Sequence, residues 1–187
     1  MNWRLREAVR ELHAGGIIAY PTETVYGLGC DPFNGVAVLH LLSLKQRSMA
    51  QGVILIASEL GQIEPLLQPL QAATRKRISV KRQSPVTWIL PCRPETPAWL
   101  RGDHASLAIR LTSHPLASEL CDVWGRPLVS TSANIHGRPP ATSAIRVRKA
   151  FNTQLNCILS GAQGNNTPSQ LRDGLTGKLL GRGTGTQ

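Results

Sequence analysis

Four short polar clusters hold the residue types that could do chemistry in this chain. Lys45-Gln46-Arg47 sets two cations two residues apart, with Gly52 close behind. Lysine offers a point charge and arginine a planar fork of donors, a combination suited to clamping phosphate. The same pair could instead complement the dipole of a helix end. Val129-Ser130-Thr131-Ser132-Ala133-Asn134 gathers three hydroxyls and an amide. These could ligate phosphate oxygens and a metal-bound water, or cap a turn. Tyr20-Pro21-Thr22-Glu23-Thr24-Val25-Tyr26-Gly27-Leu28-Gly29 reads as a turn between two strands, with proline setting φ and glycine allowing tight packing. Leu107-Ala108-Ile109-Arg110 places one arginine in or at the end of an apolar strand. A buried arginine there needs an anionic partner, either an acidic side chain or a ligand.

Familiar routes to nucleotide or covalent chemistry are missing from the string. Gly177-Lys178 is followed by Leu179, so there is no P-loop, and neither a dinucleotide G-x-G-x-x-G nor a G-x-S-x-G elbow occurs. Cys30, Cys92, Cys121 and Cys157 are far apart, and no histidine pair has metal-binding spacing. No metal site is expected from these residues, and disulfides are not expected in a chain of this kind.

Strands and helices must bring the four clusters together. Leu5, Ala8, Val9 and Leu12 recur at helical spacing up to Gly15-Gly16. Buried strands are expected over 17–20, 25–30, 53–57, 86–90, 106–111 and 128–131, with short ones near 157–159, 170–172 and 179–180. Helices are expected over 34–44, 59–67, 70–80, 114–123 and 142–151, the last capped by Thr142 or Ser143. The Pro-rich stretch 91–103 reads as loop. This alternation predicts a single α/β domain over 1–182 followed by a flexible tail at 183–187. Strand directions cannot be read from the pattern. The clusters fall at strand ends, where open α/β sheets place ligands.

Length and composition agree with one globular domain: 187 residues, 41% hydrophobic and only 4% aromatic. Lys and Arg number 21 against 11 Asp and Glu, a net charge of +10, which favours polyanionic partners such as nucleotide phosphates or RNA. The N-terminus has no apolar segment of the signal-peptide kind, and no run approaches the ~20 residues of a membrane span. The expectation is a cytoplasmic protein with no membrane partner.

The clusters share an order and spacing: Pro-Thr-Glu-Thr-x-Tyr-Gly-Leu, Lys-x-Arg-x4-Gly, Pro-Val-Thr, Ala-Ile-Arg-x3-His-Pro and Ser-Thr-Ser-Ala-Asn. This conjunction resembles the YrdC family in its short, single-domain bacterial form, from about Gly15 to Thr142 and more loosely to Arg182. The resemblance implies a twisted mixed β-sheet with a concave basic face. It also implies a nucleotidyltransferase activity that condenses L-threonine, bicarbonate and ATP into threonylcarbamoyl-AMP and pyrophosphate. ATP would be a substrate bound with Mg²⁺. Lys45 and Arg47 would be catalytic, holding the triphosphate. Thr24 and Tyr26 would line the threonine end, and Arg110 would face the anionic intermediate. Ser130, Ser132 and Asn134 would bind phosphate or its Mg²⁺; Thr142, Ser169 and Arg182 would contact ligand. The product would pass to a tRNA threonylcarbamoyl transferase complex that forms N6-threonylcarbamoyladenosine, with possible tRNA contact through the basic face.

That chemistry suits the residue types, because the substrate supplies the nucleophile and positioning plus charge stabilisation does the rest. Two departures from the family stand out: Gln83-Ser84 before Pro85, and the loop Gly164-Asn165-Asn166-Thr167. Two other readings compete. One is an RNA-binding or ribosome-maturation factor, although few aromatics are available for base stacking. The other is a divergent paralogue with the same fold and other chemistry.

Overall fold

The computed structural model describes residues 3–80, 82, 84–135, 137–162, 164 and 168–182. Its strands are β1 (Ile18–Pro21), β2 (Tyr26–Gly29), β3 (Ile54–Ala57), β4 (Val86–Pro91) and β5 (Ser106–Leu111). They continue with β6 (Leu128–Ser132), β7 (Cys157–Ile158), β8 (Gln170–Asp173) and β9 (Leu179–Arg182). All nine join one sheet in the order β7-β1-β2-β6-β3-β5-β4-β8-β9. The sheet is mixed. β1–β7, β3–β5 and β4–β8 run parallel, and the remaining neighbours are antiparallel. The expected α/β class holds, and hydrogen-bond register settles the strand directions that hydrophobic pattern left open.

Because side chains alternate across a strand, the two sheet faces can be read from the burial of odd and even positions. On one face Ile18, Tyr20, Ile56 and Leu128 pack beneath α1 (Trp3–His13) and α5 (Pro115–Trp124). On the other, Leu28, Leu55, Ile109 and Val129 form the larger core. It is covered by α2 (Gly35–Leu44), α3 (Ala72–Ser79), α4 (Ala98–Arg101) and α6 (Ala144–Phe151). Along the strands from Leu128 and Ile56 on the first face, the same rows continue as Ser130 and then Ser132, and as Ile54, with Arg110 opposite Ile56. There the apolar floor gives way to the polar residues of the site.

Gly29 is needed where β2 meets β6. A Cβ at that position would lie 2.5 Å from the Val129 carbonyl oxygen and 2.9 Å from the Tyr20 ring. A side chain of any kind would push these strands apart.

Three local expectations are corrected. Residues 59–67 form two 3-10 turns, Leu60–Gln62 and Glu64–Leu66, not a helix. Pro65 lacks the N–H and its ring would clash with the preceding turn of an α-helix. The stretch 91–103 contains α4, whose Leu100 is fully buried, and Trp99 Nε1 donates to Pro32 O at 3.1 Å. The last helix starts at Ala144 and not at 142; of the two expected caps Ser143 takes the position, its hydroxyl accepting from Arg146 N at 3.3 Å. The tail 183–187, Gln83 and Asn165-Asn166-Thr167 lie outside the described residues. Among the described residues no helix is long and apolar enough to cross a membrane.

Candidate active site

The KxR cluster owes its geometry to how α2 ends. Asn34 caps the helix start by accepting from Ala37 N at 3.1 Å. At the other end Lys45 is the C-cap, and Gln46 adopts a left-handed φ of 51°. Gln46 N then reaches Ser43 O at 2.9 Å, and Arg47 N reaches Leu42 O at 3.0 Å. These are the two bonds of a Schellman ending, with glutamine where glycine is usual. The turn sends the two cations to different places. The Lys45 ammonium is buried and donates to Ser132 O at 2.7 Å, Asn134 O at 2.6 Å and Asn134 Oδ1 at 2.5 Å. Burial, then the neighbouring Arg47 charge, pushes its pKa down to about 8. Arg47 instead lines a cavity of about 460 Å3. Its Nε is buried with no partner among the described residues, and burial holds its pKa below the ordinary arginine value.

The cavity wall opposite is the β1–β2 turn, with Thr22, Thr24 and Val25 leading into Tyr26 and Gly27. Thr22 organises this turn: its hydroxyl donates to Val25 O at 2.7 Å and accepts from Thr24 N at 3.2 Å. The Tyr26 hydroxyl donates to Gly161 O at 2.8 Å and accepts from Gly161 N at 3.1 Å. Glu23 anchors the turn to the start of α5. One carboxylate oxygen accepts from Ser113 N at 2.6 Å, Thr112 Oγ1 at 2.8 Å and His114 N at 3.2 Å. Burial alone would raise this carboxyl; hydrogen bonds from backbone and Thr112 together with the Arg110 charge outweigh it, and its pKa falls below the ordinary value. Gly27 keeps the floor open, since a Cβ there would project to within 3.4 Å of Ser130 Oγ.

Arg110 and Ser169 make the remaining polar wall. Arg110 is 9% exposed, and no described carboxylate lies within ion-pair distance of it. Its Nε and Nη2 donate to Thr87 Oγ1 at 3.2 and 3.1 Å, and Nη2 also donates to Ser169 Oγ at 2.9 Å. Burial lowers its pKa, while the Glu23 charge acts in the opposite sense. A buried cation solvated by hydroxyls, with no described carboxylate within ion-pair distance, is suited to an incoming anion.

Of the residues expected at the site, Thr24, Tyr26, Arg47, Arg110, Ser130 and Ser132 converge on the cavity. Thr142 and Ser169 join them. Lys45 and Asn134 stand together outside the lining, where Asn134 Oδ1 also accepts from Ser132 Oγ at 2.7 Å and its Nδ2 donates to Arg138 O at 2.9 Å. The Arg182 backbone lies opposite Gln170, next to Ser169; the Arg182 side chain is outside the described residues. Sequence reasoning missed Thr22, Glu23, Gly27 and Thr87. All four sit inside motifs already singled out, but a string of residues does not say which hydroxyl faces a cavity. Among the described residues no group of three or more His, Cys, Asp or Glu could hold a metal.

This geometry defines a cavity lined by arginine and hydroxyl side chains, set into one face of a mixed α/β sheet. The sequence model of the Sua5–YciO–YrdC family, described as telomere recombination, matches residues 10–182. The chain belongs to that family. It is 51% identical to the threonylcarbamoyl-AMP synthase of Nitrosococcus oceani over 180 residues, covering 96% of this chain and 97% of that protein. It is 46% identical to the threonylcarbamoyl-AMP synthase of Coxiella burnetii, covering 94% and 95%. Among solved structures it is similar to P. abyssi Sua5 complexed with L-threonine, with a TM-score of 0.83 and 29% identity. The match covers 91% of this chain and 51% of that one, so this chain spans about half the length of P. abyssi Sua5.

Proposed function

We propose that this chain is a threonylcarbamoyl-AMP synthase, a nucleotidyltransferase acting on L-threonine, bicarbonate and ATP. The observation that carries the reading is the cavity itself. Two arginines, Arg47 and Arg110, line it without a carboxylate partner among the described residues, beside the hydroxyls of Ser130 and Ser132. Full-length relatives with this activity in their names support the choice of reaction.

Bicarbonate takes up a proton and loses water to give CO₂; the threonine amine adds to CO₂ and loses a proton, giving a carbamate. A carbamate oxygen then forms a bond to the α-phosphorus of ATP as the bond to the bridging oxygen breaks. Pyrophosphate leaves with that electron pair. No protein nucleophile is needed, which suits a lining of guanidinium and hydroxyl groups. Arg47, with Ser130, Ser132 and Thr142, would meet the nucleotide. Thr24, Tyr26, Arg110 and Ser169 would meet the amino-acid end; that such an end exists is supported by the solved relative P. abyssi Sua5, which is complexed with L-threonine. Lys45 and Asn134 would act by holding Ser132 and the loop after it. Arg182 would close over the nucleotide from β9.

Mg²⁺ would enter with ATP and neutralise phosphate charge. Ser130 and Ser132 are the oxygen donors best placed to meet it or its waters, and a cation held mainly by phosphates and water needs no carboxylate cage. The product would go to a tRNA-modifying transferase, and the protein would act in the cytoplasm; the net charge of +10 favours some contact with tRNA. The test is pyrophosphate release from ATP with Mg²⁺ and bicarbonate, with and without L-threonine. Release is expected only when threonine and bicarbonate are both present. ATP binding without such turnover would favour a divergent paralogue.

A further inference from the structure

Thr87 lies behind the cavity wall, and the proton count around it has a functional consequence. Its side chain is fully buried, Ser169 is 4% exposed, and their hydroxyl oxygens are 3.0 Å apart. A hydroxyl has one hydrogen and two lone pairs; a guanidinium has only hydrogens to give. Thr87 Oγ1 sits in the fork of Arg110, accepting from Nε at 3.2 Å and Nη2 at 3.1 Å. Both its lone pairs are then used. Thr87 must therefore donate, and the acceptor in reach among the described residues is Ser169 Oγ. Ser169 also accepts from Arg110 Nη2 at 2.9 Å, which fills its two lone pairs as well. Among the described residues, the hydrogens that these bonds leave over in the trio are the Ser169 hydroxyl hydrogen and the two on Arg110 Nη1, and Ser169 lines the cavity together with Arg110.

We infer that Thr87 is a positioning residue: it locks the Arg110 guanidinium and turns Ser169 into a hydrogen donor facing the cavity. Arg110 and Ser169 then form a corner that only donates, matched to an anionic oxygen pair such as the carboxylate of the amino-acid substrate. Register supports the arrangement. Trp88 pairs with Ile109, so Thr87 comes opposite Arg110 across β4 and β5, on the face that carries Ile54 and Ser130. The corner also ties the segment entering β8 to β4 and β5 through the Ser169 hydroxyl. This inference rests on the synthase reading for the identity of the substrate, but not for the geometry of the arginine.

Thr87→Val keeps the branched shape and strand preference and removes the hydroxyl; Thr87→Ser keeps the hydroxyl. In steady-state pyrophosphate release, Thr87→Val is expected to raise the KM for L-threonine by about tenfold, the scale of one hydrogen bond to a charged group. The KM for ATP should stay within about twofold, and Thr87→Ser should restore the threonine KM. A general loss of structure would raise both. The arginine is read directly by ¹⁵N NMR, with the Arg110 Nε–H signal assigned through Arg110→Lys. Slow solvent exchange of that hydrogen is expected in the parent protein and in Thr87→Ser, and fast exchange in Thr87→Val. An unchanged threonine KM, or an unchanged Nε–H exchange rate in Thr87→Val, would overturn the inference. Should the parent protein release no pyrophosphate with threonine, the synthase reading fails and the NMR comparison alone decides the role of Thr87.

Discussion

Lys45 and Arg47 look equivalent as a pair of cations, and their surroundings separate them. Lys45 spends its three ammonium hydrogens on Ser132 and Asn134, whereas Arg47 faces the cavity with a buried Nε that no described group accepts from. Their substitutions should therefore fail in different ways. Arg47→Ala is expected to slow adenylate formation at least tenfold, about 1.4 kcal/mol in the transition state, with little change in thermal midpoint. Lys45→Met takes one donor from each of two carbonyls and an amide oxygen, at a cost of about 1–3 kcal/mol in stability, and it should lower activity as well. Thermal melts beside single-turnover rates distinguish the two. A Lys45→Met protein that melts like the parent would rule out the bracing role. The KxR spacing was visible in the sequence; the division of labour was not, because it follows from the left-handed Gln46 that ends α2.

At the scale of elements, the turn between β1 and β2 is held in place by Glu23, whose carboxylate caps the backbone entering α5. The Glu23 pKa is lower in the folded chain than its ordinary value, about 4.3 for glutamate, so the folded state prefers the ionised form. Its contribution to stability is complete above that ordinary value and is lost as pH falls through the depressed folded pKa. Urea unfolding across acidic pH should show the parent protein losing its advantage over Glu23→Gln below about pH 4.5. Curves that stay parallel through that range would mean the carboxylate charge does not hold the turn. The Pro-Thr-Glu-Thr cluster was recognised from its residues, yet the partner of its glutamate is 90 positions away, beyond any local pattern.

For the whole molecule, the site is assembled from β2, β3, β5, β6, the end of α2 and the segment entering β8, so ligands should stabilise the entire domain. At about 100 times its Kd a ligand adds roughly 2.7 kcal/mol. For a chain of this length that corresponds to a rise in thermal midpoint of roughly 5–10 °C. ATP with Mg²⁺ and L-threonine should each raise the midpoint, and Arg47→Ala should blunt the nucleotide shift while sparing the threonine shift. Equal blunting of both would place Arg47 at the shared centre of the cavity. No shift with either ligand would count against the cavity as the substrate site.

The amino-acid sequence by itself determined the α/β class, most strand positions, the helix stop at Gly15-Gly16 and the polar motifs of the site. Each of these is local: hydrophobic periodicity, a glycine pair, or an ordered set of short motifs. Tertiary structure decided the rest. Pro65 and the buried Leu100 changed which segments coil, because backbone bonding and core burial outweigh a short apolar pattern. The mixed sheet, with β3 beside both β6 and β5, set which residues become neighbours. Only that register brings Thr87 against Arg110 and Ser169, and the packing of α2 on the sheet brings Lys45 against Asn134. Hydrogen bonds between residues tens of positions apart depend on distances that no residue pattern encodes.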